Sequence, residues 1–327
     1  MMRFAYIFLF FISFKIVAQI SGCTDSLSKN YNPQATVNDG SCVYKKKKIK
    51  PLFSKVLEPK IQETSGLLYY DNRFWTMNDD TDTRLHALDT SSGKIVKSYE
   101  LKNAKNRDWE EISQDKDFIY VGDFGNNVNG NSTDLHILKV EKKSLLTEKP
   151  VIDTIYFSYE NQTDFGIMKS NKTNFDGEAF IVSKDSIFIF TKQWKARKTS
   201  VYSLPKMAGK YSAKLKATFN VKGLITGATY LEDQRIIVLC GYSKIQNPFV
   251  YFLYDFKGND FFSGNKRKVK LKLPFRQVEG IAHKNNLDFY LTNEEFSQWP
   301  ILNHRPKLHK INLSSFLGDY LKRISNE

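Results

Sequence analysis

Long apolar runs are nearly absent from this sequence. One lies at the very start, and no later stretch is long enough to span a bilayer. Cysteine is scarce, with only Cys23, Cys42 and Cys240, which excludes a disulfide-dense scaffold and leaves no CxxC pair for redox or metal chemistry. The five histidines never form HExxH, and neither a Gly-x-Ser-x-Gly elbow nor a glycine-rich phosphate loop is present. Zinc-peptidase, serine-hydrolase and P-loop chemistry therefore lack sequence support, and no catalytic residue can be named. Helical periodicity is missing too. From about residue 52 to the end the chain reads as short strands broken by turns, with no convincing helix.

What is present supports a core. Hydrophobic residues make up 41% and aromatics 14% of the chain, so global disorder is excluded. The net charge of +14 is partly local, since Lys45, Lys46, Lys47, Lys48 and Lys50 fall in six residues. The remaining lysines are scattered over solvent faces, so no nucleic-acid partner is expected. Met1-Met2-Arg3 followed by the apolar Phe4 to Phe14 reads as a signal peptide over residues 1–19, too short to be a membrane span. The mature chain is then exported, to the periplasm, the outer surface or the medium, with no transmembrane helix. Ile20-Ser21-Gly22-Cys23 resembles a lipoprotein box, which would put a lipid anchor on Cys23. The competing expectation is a Cys23–Cys42 disulfide, permitted by export and natural for two cysteines in one small polar segment. Cys240 sits in the apolar run Ile236–Leu239 and reads as an inert core thiol.

Residues 20–44 form a separate small module. Its strings Gly22-Cys23-Thr24-Asp25, Asn30-Tyr31-Asn32-Pro33 and Asn38-Asp39-Gly40-Ser41-Cys42 resemble a disulfide-closed module of secreted bacterial proteins, similar to calcium-binding thrombospondin-type repeats. That resemblance implies Asp25, Asn38 and Asp39 as cation ligands; the alternative is that they make turns. Residues 45–51 are a lysine-rich linker, and residues 52–327 the main body.

Within the body a pattern recurs five times. Units open at Ser65, Glu110, Glu178, Thr226 and Glu279, at spacings of 45, 68, 48 and 53 residues. Each has a second strand (Phe74–Met77, Phe118–Val121, Ile187–Phe190, Ile236–Leu239, Asp288–Leu291) and a third, and most have a fourth. Four strands per unit at this period marks an all-β β-propeller. Five blades are visible, with six as the alternative if the 68-residue gap hides another. The last unit stops after its third strand, and Phe53–Leu57 can supply the fourth and close the ring.

In a propeller the first strand of each blade lines the channel. The opening residues include Glu110, Glu178 and Glu279, and strand alternation adds Glu63, Asp108 and Asp176 two residues earlier. Converging carboxylates repel, and oxygen-only ligation suggests Ca2+ or Mg2+ as compensation, so these six are the candidate metal ligands, with Ca2+ the candidate cofactor. The bland alternative is hydrogen bonding to backbone amides or water. The second strands end in Asn78 and Asp79, Asp123 and Asn126, Lys192 and Trp194, and Asn293 and Glu294, which should gather at one channel mouth as a binding surface. As turn formers these Asn and Asp residues also have a plain structural reading. His86, His136 and His309 occupy matching third-strand positions and read as structural.

The strings Glu63-Thr64-Ser65-Gly66-Leu67, Asp108-Trp109-Glu110-Glu111-Ile112 and Gly122-Asp123-Phe124-Gly125-Asn126-Asn127 resemble exported bacterial propellers related to the SdiA-regulated and "esterase-like activity of phytase" families. The resemblance covers roughly residues 53–315. It implies a secreted propeller, often with an axial metal, but no settled substrate. The fourth unit departs from the pattern with Leu224 and Thr226 where others carry acids. Two functions are consistent with this. One is an envelope binding or scaffold module with a structural divalent cation, whose partner is an unspecified small molecule or extracellular protein. The other is a metal-dependent hydrolase of an ester, lactone or phosphoester, with Lys192 or Arg197 stabilising an anion.

Overall fold

Five units of four strands follow one another and close into a ring. The structure is a computed structural model that describes residues 19–325 apart from 286, 299 and 301, so the expected signal peptide falls almost wholly outside the described residues. From the axis outward, blade one is Thr64–Tyr70, Arg73–Asn78, Arg84–Asp89 and Ile95–Glu100. Blade two is Trp109–Gln114, Phe118–Asp123, His136–Glu141 and Ile152–Tyr159. Blade three is Gly177–Val182, Ser186–Thr191, Thr199–Pro205 and Gly209–Phe219, and blade four Leu224–Leu231, Ile236–Tyr242, Pro248–Tyr254 and Asn265–Leu271. Blade five takes Val278–Asn285, Asp288–Asn293 and Lys307–Asn312 from the C-terminal side and Phe53–Val56 from the N-terminal side. Each inner strand packs against the next, and the fifth against the first, so the ring has five blades and not six. The 68-residue spacing is filled by the long segment 160–176 between blades two and three.

The packing explains the strand pattern. Second strands such as Ile236–Tyr242 are buried along their whole length and so read as continuous apolar runs. Outer strands such as Ile152–Tyr159 alternate, because one face meets water. Among the described residues the buried side chains form five clusters, one at each blade junction. Trp75 and Trp109 sit fully buried in the one between blades one and two.

Closure is antiparallel pairing of Phe53–Val56 with Lys307–Lys310, reinforced by a 2.7 Å hydrogen bond between Ser54 Oγ and His309 Nδ1. The pairing covers an edge that would otherwise be open. His86 does the same in blade one, holding Ser98 of the outer strand at 2.8 Å.

Three features differ from the sequence expectation. Blades two and three form one eight-stranded sheet, because Ile155–Tyr159 pairs in parallel with Gly209–Ala213. Lys47–Ile49, within the expected linker, adds a parallel fifth strand to blade four at Val269–Leu271. A helix, Ser314–Ile324, caps the junction of blades four and five with Phe316, Leu317 and Tyr320 buried. Its apolar residues recur at helical spacing over one short segment, a signal easily lost after a long series of strands.

In the small module Cys23 is bonded to Cys42, with Cα atoms 4.9 Å apart, which leaves no Cys23 sulfur for a lipid thioether. The side-chain oxygens singled out there are taken by protein donors. Asp25 accepts from the Tyr44 and Tyr254 hydroxyls, Asn38 Oδ1 from Gly40 N at 2.9 Å, and Asp39 Oδ1 from Ser41 N at 2.9 Å. The module is seated on the propeller by Asp255, which accepts from Thr24, Asn38 and Arg323 at 3.1, 2.8 and 2.7 Å.

Candidate functional site

The inner strands do not simply alternate. In blade two Trp109 pairs with Asp123 and Glu111 with Gly122, so Glu110 is an extra residue in the ladder. Glu178, Thr226 and Glu279 are extra in the same way in blades three, four and five. A bulge at one equivalent position per blade turns that side chain out of the pleat and toward the axis. Blade one carries its irregularity one step later, between Ser65 and Leu68.

At the centre of this level lies Lys192, from the end of the second strand of blade three. Its Nζ is 2.8 Å from Glu178 Oε1, and it lies over the rings of Trp194 (4.6 Å) and Tyr242 (5.5 Å). Burial alone would lower its pKa, but Glu178, and after it Tyr242, Glu279 and Glu110, hold it well above the usual value. These partners come from blades two to five, so the ammonium stands on the axis as an internal counter-ion.

Burial and mutual repulsion raise the pKa of the acids around it. Burial, then Glu178 and Asp108, push Glu110 well above the carboxylate range, and burial raises Glu178 likewise. Oxygens of Glu110, Asp176 and Glu178 lie within 4.8 Å of one another, so these acids repel as they converge. Asp108 is pushed up to about 6, first by burial and then by Asp176. Asp176 is further fixed by Trp194 Nε1 at 2.6 Å and the Asn126 amide at 2.7 Å. Glu279 is pushed up to about 8 by burial, against the pull of Lys192. Gly125 is required here, because a Cβ on it would stand 2.0 Å from Asp108 Oδ2 and 2.5 Å from Glu110 Oε1.

One residue deeper the channel is shut. Where the other blades carry Gly66, Ala179, Gly227 and Gly280, blade two carries Glu111, fully buried. Its carboxylate accepts from Ile112 N at 2.9 Å and, across the channel in blade four, from Ala228 N at 2.8 Å.

Nearer the mouth is a second group. Carboxylate oxygens of Glu63, Asp79 and Glu294 lie within 4.8 Å of one another and are half-buried. Burial and then Glu63 push Asp79 up to about 7; burial and then Asp79 push Glu294 up to about 7. Glu63 is raised by burial and then by Asp80 and Glu295. Gln277 donates to Glu294, and no salt bridge reaches the three acids among the described residues.

The six expected metal ligands therefore fall at two levels. Glu110, Asp176 and Glu178 have oxygens within 4.8 Å of one another, with Asp108 and Glu279 beside them, while Glu63 belongs to the mouth group. Of the expected mouth residues, Asp79, Glu294, Lys192 and Trp194 join these clusters. The others hold loops: Asn78 donates to Lys60 O, Asn126 to Phe175 O and Asn293 to Arg305 O, and Asp123 takes the Arg107 and Asp108 amides. Glu111 and Tyr242 were not singled out from sequence, although an acid standing where four blades carry Gly or Ala was a readable signal for the first.

Fold and channel together define a five-bladed β-propeller with an acid-lined, internally plugged axis. No protein-family model matches the chain, and no curated protein matches it by sequence. Among solved structures it is similar to a PQQ-bound aldose sugar dehydrogenase from Streptomyces coelicolor, at 10% identity over 79% of this chain and 98% of that one, with a TM-score of 0.44. The WD40 repeats of RRP9 align at 9% identity over 78% and 96% of the two chains, with a TM-score of 0.38. Overlaps this loose carry nothing about function, and the fold assignment rests on the sheet topology above.

Proposed function

We propose that the protein is a binding propeller, exported to the envelope or beyond, whose channel mouth takes a divalent cation and, through it, an anionic or polyol ligand. The observation that carries this reading is the contrast between the two acidic levels. The inner acids have the Lys192 ammonium among them, 2.8 Å from Glu178, whereas Glu63, Asp79 and Glu294 converge with no salt-bridge partner among the described residues. All three offer hard oxygen donors, and their partial exposure leaves room for water to complete a Ca2+ shell, so the donor set fits that ion. Glu63, Asp79 and Glu294 would hold it, and its contribution there is charge neutralisation and a coordination point for ligand oxygens.

Export is supported by the short apolar N-terminal segment and by a disulfide; among the described residues no helix is long and apolar enough to cross a membrane. Hydrolysis is the weaker reading, because Lys192, its expected anion stabiliser, is already engaged by Glu178, Trp194 and Tyr242. The test is calorimetric titration of the metal-stripped protein with CaCl2. One ion per chain is expected, weakened at least about tenfold by Asp79→Asn or Glu294→Gln, the loss of one charged ligand contact. Absence of binding, or binding indifferent to both substitutions, would refute the mouth site.

A further inference from the structure

Away from the channel, the seat of the small module creates a groove of about 730 Å3 against the Lys47–Ile49 strand and the C-terminal helix. Lys29, Lys45, Lys47, Lys48 and Arg267 line it with Phe316, and no carboxylate does. The four lysines are exposed, and among the described residues no salt bridge reaches any of them. Arg267 is different in kind. It is only 5% exposed, its guanidinium is fixed 4.7 Å from the Tyr44 ring and 4.9 Å from the Phe316 ring, and it donates to Phe316 O at 3.2 Å. Its Nε has no hydrogen-bond partner. A buried donor left unpaired is costly, and a guanidinium held by stacking is a pre-formed oxyanion receptor.

We propose that this groove binds a linear phosphate-bearing polyanion, one anionic group reaching toward Arg267 and its neighbours lying along the lysines. The groove is far larger than one phosphate, and its four exposed lysines together with Arg267 carry more positive charge than one phosphate would neutralise. A flat anionic membrane reaches a recessed guanidinium poorly. Nucleic acid finds no free ring on which to stack, since Arg267 already covers Tyr44 and Phe316.

The experiment is titration of the full protein with inorganic polyphosphate at low and moderate salt, beside orthophosphate, a single-stranded DNA oligonucleotide and phosphatidylglycerol vesicles. Polyphosphate should bind far more tightly than orthophosphate and weaken steeply with salt. The triple substitution Lys45→Gln, Lys47→Gln, Lys48→Gln, confined to exposed side chains, should cost at least about tenfold with an unchanged melting temperature; Arg267→Lys should cost a similar factor through the lost planar fork. Equal affinity for orthophosphate and polyphosphate, or a triple variant that binds like the parent, would overturn the proposal. Tighter binding to DNA or to vesicles would replace it with a base-reading or a membrane surface.

Discussion

Lys192 holds four blades of the channel to one point of charge. Because it and Glu178 are both buried, removing one partner strands the other. Lys192→Met is therefore expected to destabilise the protein by about 3 kcal/mol or more in denaturant unfolding, and adding Glu178→Gln to recover part of that loss. A Lys192→Met midpoint within error of the parent would remove the counter-ion role. Glu111 makes a different kind of demand. Its two oxygens serve amides of Ile112 and Ala228, so Glu111→Gln turns an NH2 toward one of those donors. The expected cost is about 1–3 kcal/mol, read as a lower denaturant midpoint, and an unchanged midpoint would contradict the plug. Residue by residue the sequence was legible where repetition lined up equivalents: Glu110, Glu178 and Glu279 were found that way. Glu111 was not singled out, because a bulge at Glu110 shifts the phase by one and period-two reasoning cannot register it.

At the level of elements, turn residues and apolar runs carried the blades, and the missing fourth strand of the last unit pointed to Phe53–Leu57 as the closure, of which Phe53–Val56 forms the strand. The parallel join of blades two and three was not legible, since strand pairing across blades leaves no local pattern. The lysine run hid a strand for a related reason: Ile49 alone packs inward, against the cluster between blades four and five. Closure gives a direct test. A chain beginning at residue 52 keeps Phe53–Val56 and should melt cooperatively. One beginning at residue 58 leaves Lys307–Asn312 as a bare edge and should aggregate or lose cooperativity by size exclusion and circular dichroism. Equal behaviour of the two would show that closure is not what holds the ring.

For the whole molecule the charge balance of the channel governs response to pH. In the fold Asp79 and Glu294 titrate near 7, against about 4 in an unfolded chain. The folded state thus binds more protons between those values. Their contribution to stability is full below about pH 4 and is lost as the pH rises through 7. A divalent cation prefers the ionised form, so its stabilisation should grow over the same range. The most direct measurement is thermal unfolding from pH 5 to 8 in EDTA and in excess Ca2+. The melting temperature should fall with rising pH in EDTA and be restored by Ca2+, most at pH 8, with Glu294→Gln blunting both effects. A flat EDTA profile that Ca2+ leaves unmoved would contradict a cation site at the channel mouth.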